Sequence, residues 1–124
     1  MQKYLVRNLD NSEMSPLSVD YCESFFCRLR GLTFRRNLSS EEGLLLVQKN
    51  DSRLDASIHM LGVWIDLGVV WINAAMKVVD LRLARSWRPL YIPQQPARFV
   101  LESDPIRLND FHLGDQVRFE ATRA

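Results

Sequence analysis

Cysteine and histidine are scarce in this sequence, and their placement excludes more than their number does. Among 124 residues these types are represented only by Cys22, Cys27, His59 and His112. The cysteines stand five apart, which is neither a C-x-x-C redox motif nor half of a zinc site. In the helix that their surroundings predict, that spacing turns them roughly 140° apart, too divergent for a bridge. Two reduced thiols of structural purpose are therefore expected, in a cytoplasmic protein without metal or other cofactor. Nucleophile patterns are missing as well. There is no G-x-S-x-G elbow, no glycine-rich phosphate loop and no Cys–His pair of known type. Nor is there an excess of charge, since sixteen basic against fifteen acidic residues leave +1. That balance argues against a dedicated polyanion binder but leaves room for a local patch.

Uninterrupted apolar runs of membrane length are also lacking. Met60 to Val79 is long enough to span, but Asp66, Asn73 and Lys77 break it, and a central Asp alone costs a few kcal/mol in a bilayer. Gly62 and Gly68 weaken a helix there, while Val, Ile and Trp favour strand, so buried sheet is expected. The first residues show no apolar core followed by small residues, and no signal peptide is expected. What remains is a soluble globular composition, 47% hydrophobic and 25% charged. The length suits one domain over residues 1–124, able to bury a core without staples.

Patterning predicts short strands at Tyr4–Asn8, Leu17–Val19, Leu44–Val47, Val69–Ile72, Lys77–Leu83, Arg98–Glu102 and Gln116–Glu120. Lys49 to Ser52 reads as a loop, and Pro105 opens a helical turn within Asp104–Phe111. One main helix is expected near the N-terminus. Asp20 and Glu23 have capping-box spacing, and Cys22, Phe25, Phe26, Leu29 and Leu32 make its apolar stripe, with Gly31 near its end. The expected fold class is α+β: a β-rich domain with a mostly antiparallel or mixed, barrel-like sheet and that one helix.

In order, several motifs resemble the domain of unknown function 192 family. An R-x-R-G-L-x-x-R helix end is matched by Arg28, Arg30, Gly31, Leu32 and Arg35. An acidic-Gly-apolar step follows at Glu42, Gly43, Leu44, Leu45 and Leu46. The block I-H-T-F-x-M-x-x-P-I-D-V-x-F-L-D is answered by Ile58, His59, Met60, Leu61 and Val63, then by Asp66, Leu67, Gly68, Val69, Trp71, Ile72 and Asn73. An A-x-x-V-L-E strand fits Ala97, Val100, Leu101 and Glu102, and a late turn fits Gly114 and Asp115. The likeness runs from about Val19 to Glu120, and the family it points to has no settled activity to lend. Asp66 stands where the family has Pro, and Gly68 where it has the next Asp. Any chemistry of that Asp is thus lost here or moved to Asp66. Met76 replaces an expected hairpin Gly, which implies a turn of different type or length.

The densest functional signal is RLRGLTFRR, whose Arg28, Arg30, Arg35 and Arg36 could clamp a phosphate, a carboxylate or an acidic protein surface. With Phe34 for stacking, weak single-stranded nucleic-acid binding is a less favoured alternative. A solvated helix end, or an internal pair between Arg30 and Glu102, would explain the same residues without a ligand. The enzymatic alternative uses Asp66, His59 and Glu102. His59 could act as a base, switch or ligand near pH 7, Asp66 sits within an apolar strand region, and Glu102 ends a strand. Trp64, Trp71 and Trp87 read as core rather than sugar platform, with Trp87, beside three prolines, the one expected at the surface. The reading adopted is a non-catalytic binding or accessory domain. Its pathway and oligomeric state are not legible.

Overall fold

The computed structural model describes residues 2–24, 27–28 and 37–122, and it overturns the α+β expectation. Seven strands make up the fold: β1 Lys3–Asn8, β2 Leu17–Cys22, β3 Glu42–Ser52, β4 Leu67–Ile72, β5 Val78–Ala84, β6 Ala97–Ser103 and β7 Val117–Ala121. They form one sheet in the order β5-β4-β6-β3-β2-β1-β7. Neighbours are antiparallel except β2 and β3, which run parallel. The sheet is open rather than a closed barrel. Its two edge strands meet at one corner, where Lys77 bridges Gln116 and Val78 N–H bonds Asp115 O at 2.8 Å.

Among the described residues the longest helical element is the six-residue 3-10 helix Pro105–Asp110. The expected main helix fails at its start, because Asp20, Tyr21 and Cys22 belong to β2. There they pair with β1 on one side and with Leu44, Leu45 and Leu46 on the other. A capping box contributes about 1 kcal/mol, whereas two ladders and burial of Leu17, Val19 and Cys22 act together on this stretch. A helical turn does follow at Cys27–Arg28, capped by Ser24, whose Oγ accepts from Cys27 N at 3.1 Å. Phe25, Phe26, Leu29, Gly31 and Leu32 lie outside the described residues.

The thiol expectation is also overturned, for Cys22 and Cys27 form a disulfide. The divergence argument presumed that both sit in one helix. With Cys22 ending a strand, the chain turns between them and their Cα atoms stand 5.6 Å apart, within bridging range.

Strand alternation divides the core into two clusters on opposite faces of the sheet. One face gathers Leu45, Val47, Val70, Ile72, Phe99 and Leu101 with Val6, Leu17, Val19, Phe111 and Val117. The other gathers Leu44, Leu46, Leu67, Val69, Trp71 and Val100 with Cys22, Ile58, Met60, Val63 and Tyr91. Every residue of β4 is buried, which is why that strand shows no alternation in sequence.

β3 runs to Ser52, so the predicted loop at Lys49–Ser52 is the end of a strand. The β4–β5 turn corrects another expectation, because Met76 itself takes φ +66°. Asn73 makes this tolerable by accepting Ala75 N and Lys77 N on its side-chain oxygen, each at 3.0 Å, while Met76 O accepts Val117 N at 2.9 Å. At Gly43 a Cβ would lie 2.6 Å from Glu102 O, so only glycine permits this close approach of β3 to β6. Arg107, buried and invisible to pattern reading, ties three segments. It donates to Ser15 O, Ser40 O and Asp110 Oδ2.

Candidate functional site

Of the residues singled out from sequence, Glu102 has the most unusual setting. It lies on β6 in the centre of the sheet, opposite Leu44 of β3 and Val69 of β4. Register extends this into one cross-sheet row: Lys3, Asp20, Leu44, Glu102, Val69, Arg82. The immediate neighbours of Glu102 in that row are apolar. The charges further out are already used, since Lys3 Nζ bonds Asp20 Oδ1 at 2.6 Å and Arg82 Nε lies 3.8 Å from Asp80 Oδ2. Glu102 is 4% exposed, and among the described residues its Oε1 has no hydrogen-bond partner. Burial pushes its carboxyl up to about 7, because removal from water disfavours the charged form.

Asp66 is a turn organiser. Its Oδ1 accepts Ser86 N at 2.8 Å and its Oδ2 lies 3.4 Å from Arg85 Nη1. His59 is exposed and takes part in no hydrogen bond or ion pair among the described residues. No hydrogen bond or ion pair joins any two of Asp66, His59 and Glu102, so the structure does not bring the three together. Gly68, which stands at the family's Asp position, has no room for a side chain. A Cβ there would lie 2.9 Å from Leu108 Cγ and 3.2 Å from Asp104 O.

Of the arginine cluster only Arg28 is described; Arg30, Arg35, Arg36 and Phe34 lie outside the described residues. Arg28 is engaged within the fold, donating to Gln48 Oε1 and Val47 O. The cysteine bridge and Leu38, which flank this stretch, both pack on the face that holds Glu102.

The tryptophans divide. Trp71 is fully buried and donates to Ala56 O at 2.7 Å, whereas Trp64 and Trp87 are each 48% exposed. The surface expectation thus holds for Trp87, and Trp64 joins it. No three His, Cys, Asp or Glu residues gather into a metal site among the described residues.

The model of the DUF192 family, described as "Uncharacterized ACR", matches residues 6–119. The chain belongs to this family. A UPF0127 protein of Thermococcus gammatolerans is 36% identical over 106 residues, covering 84% of this chain and 67% of the relative. Another from Thermococcus sibiricus is 32% identical over 105 residues, covering 82% and 66%. The chain thus spans about two thirds of the length of these relatives. Among solved structures, a Sinorhizobium meliloti protein provisionally described as a transcription regulator superposes with a TM-score of 0.81 at 16% identity, covering 95% of this chain and 92% of that one. A protein of unknown function from Novosphingobium aromaticivorans gives 0.77 at 20%, covering 94% and 83%. At such identities both show the fold alone. The family match begins before Val19 and takes in the second half of β1.

Proposed function

We propose that this DUF192 member is a small-molecule-binding module, not an enzyme, and that Glu102 is its recognition group. The observation that carries the reading is the buried Oε1 at the centre of the sheet, which has no hydrogen-bond partner among the described residues. Such a group costs about 1–3 kcal/mol unless something satisfies it. A ligand presenting an ammonium, guanidinium or amide N–H would recover that cost through a charge-assisted hydrogen bond. On this reading the entrance lies among Cys27, Leu38 and Ile65, three of the partly buried residues packed on that face. Arg30, Arg35 and Arg36 follow Cys27 in sequence and would meet an anionic group of the same ligand, so a zwitterion suits the pair of requirements. The enzymatic alternative has less support, because among the described residues no hydrogen bond or ion pair joins Asp66, His59 and Glu102. Cytoplasmic location rested partly on reduced thiols, and the disulfide removes that support. Among the described residues no helix is long and apolar enough to cross a membrane.

Thermal melting against small amines, amides and zwitterionic acids tests the proposal. A ligand at 100 times its dissociation constant should stabilise the wild type by about 2.7 kcal/mol. The gain should disappear in Glu102→Gln and weaken in Arg30→Lys. Binding should strengthen as pH rises through about 7, where the carboxylate forms. A ligand that binds Glu102→Gln as well as wild type would overturn the reading.

A further inference from the structure

Two β-turns lie side by side at one end of the molecule. Val63 N bonds Met60 O at 3.1 Å, closing a turn through Leu61 and Gly62, and Arg88 N bonds Arg85 O at 3.3 Å, closing one through Ser86 and Trp87. The third position of each has positive φ, +78° at Gly62 and +66° at Trp87. Turns of this kind require φ > 0 there, and glycine is the usual occupant. A tryptophan in that conformation costs on the order of 1 kcal/mol and persists only where its surroundings over-determine it.

The surroundings do so. Trp87 N donates to Met60 O and Met60 N to Arg88 O, both at 2.9 Å. Ser86 N is held by Asp66, and Arg85 N by Tyr91 Oη at 2.8 Å. Ile58 and Tyr91 complete the ribbon with a backbone bridge. Its inner side buries Ile58, Met60, Val63 and Tyr91 in the core. Its outer side leaves Leu61, Trp64, Trp87 and Leu90 between 48% and 57% exposed. Trp64 and Trp87 meet edge to face at 5.3 Å between ring centroids. The fold therefore holds a bulky side chain in an unfavourable conformation without burying it, which is what a contact surface needs and a core does not.

We propose that this ribbon docks the protein on an anionic lipid surface, with Leu61, Trp87 and Leu90 entering the headgroup layer. Indole rings suit the interface between hydrocarbon and water, and nearby arginines are attracted by anionic headgroups. Arg88 is exposed and makes no side-chain hydrogen bond or ion pair among the described residues. Asp66, the acid beside this turn, is already committed to Ser86 N and Arg85. A stacked base or sugar would use the indoles but would leave Leu61 and Leu90 without a role.

Tryptophan emission reads the test, because Trp71 is buried and stays silent to changes outside. The full chain is mixed with vesicles of phosphatidylcholine alone and with vesicles containing phosphatidylglycerol. Co-sedimentation and a blue shift with the anionic vesicles, both weakened by salt, are expected. Trp87→Gly separates docking from folding, since glycine suits φ +66°. It should bind vesicles about tenfold more weakly, the scale of one large apolar side chain left out of the membrane, while melting at or above the wild-type temperature. Arg88→Glu should lose the preference for anionic vesicles, and Leu113→Ala, an exposed leucine elsewhere, should bind as wild type does. Binding to neither vesicle overturns the proposal. So does a Trp87→Gly that melts lower yet binds equally, emission that responds to single-stranded nucleic acid but not to vesicles, or a dimer that Trp87→Gly dissolves.

Discussion

Leu101 and Glu102 are neighbours in sequence, yet they face opposite sides of the sheet and meet opposite kinds of environment. Around Leu101 packs an apolar cluster that runs from Val6 on one edge strand's neighbour to Phe111 beyond the 3-10 helix. Around Glu102 the face holds a carboxyl oxygen, Oε1, with no hydrogen-bond partner among the described residues, the disulfide, and the loops that carry Asp66 and the exposed tryptophans. One face is a core whose buried polar side chains, Asn8 and Arg107 among them, are hydrogen-bonded. The other accepts costs that burial alone does not require. Costs of that kind collect where a protein binds something, so the contrast favours placing function on the Trp71 side.

The sharpest way to break this contrast is to truncate one residue of each face. Leu101→Ala should destabilise by about 2–5 kcal/mol, the range for a buried leucine that leaves a cavity. Glu102→Leu should instead be neutral or stabilising at pH 8, because it removes a desolvated charge and fills similar space. Urea denaturation of both variants decides it. A Glu102→Leu loss as large as that of Leu101→Ala would mean that the carboxyl is a structural partner, and the two faces would no longer differ.

The same acid gives an unusual pH dependence. Its carboxyl is raised in the folded state from 4.5 to about 7, so between those values the folded chain holds a proton that the unfolded chain has released. Stability contributed by this group is complete below about 4.5 and is lost as pH rises towards 7, by roughly 3 kcal/mol for a fully buried group. Glu102→Gln should flatten that decline. Melts from pH 4 to pH 8 on both proteins measure it, and parallel curves would show that Glu102 finds a partner in solution.

The disulfide belongs to the same face and ranks next. Closing so short a loop contributes about 2 kcal/mol in the chain-entropy account. Cys27→Ser should lose about that much, and adding reductant to the variant should change nothing further. Wild type that melts identically with and without reductant would show the bridge to be absent in solution.

How much of this was legible beforehand depended on which signal each element carries. β4 and β6 announce themselves through β-branched and apolar runs, and the turn at Gly114 and Asp115 through its residue types. The Asp20–Cys22 segment misled because a short apolar run fits both periods, and a capping-box spacing tipped the choice toward helix. Ladder partners decided otherwise, and these are distant in sequence. The cysteine bridge was missed as a consequence of that one error. For the site, Glu102 and the arginines were visible as residues, but what makes Glu102 unusual is the register that sets Leu44 and Val69 beside it. Register is a property of pairing, so no local pattern records it. Arg107 is hidden for the same reason, its acceptors lying at Ser15 and Ser40. Trp87 was expected at the surface from its prolines, whereas its positive φ follows from the hydrogen bonds to Met60.

Asp66 offers the mildest test, as a second acid on the same side of the molecule with the opposite setting. It is 39% exposed by its side chain and has both a backbone donor and a cation. Asp66→Asn keeps an acceptor for Ser86 N and loses only a surface ion pair with Arg85, so about 0.5 kcal/mol or less should be lost. Asp66→Ala also removes the acceptor, and the loss should rise to about 1 kcal/mol as the turn carrying Trp87 loosens. Neither variant should alter the decline in stability between pH 4 and pH 8, because that decline belongs to Glu102. Thermal melts across the same pH series check both statements at once. If Asp66→Asn flattened the decline as Glu102→Gln should, the two carboxyls would be coupled. The enzymatic reading, which needs them together, would then regain its ground.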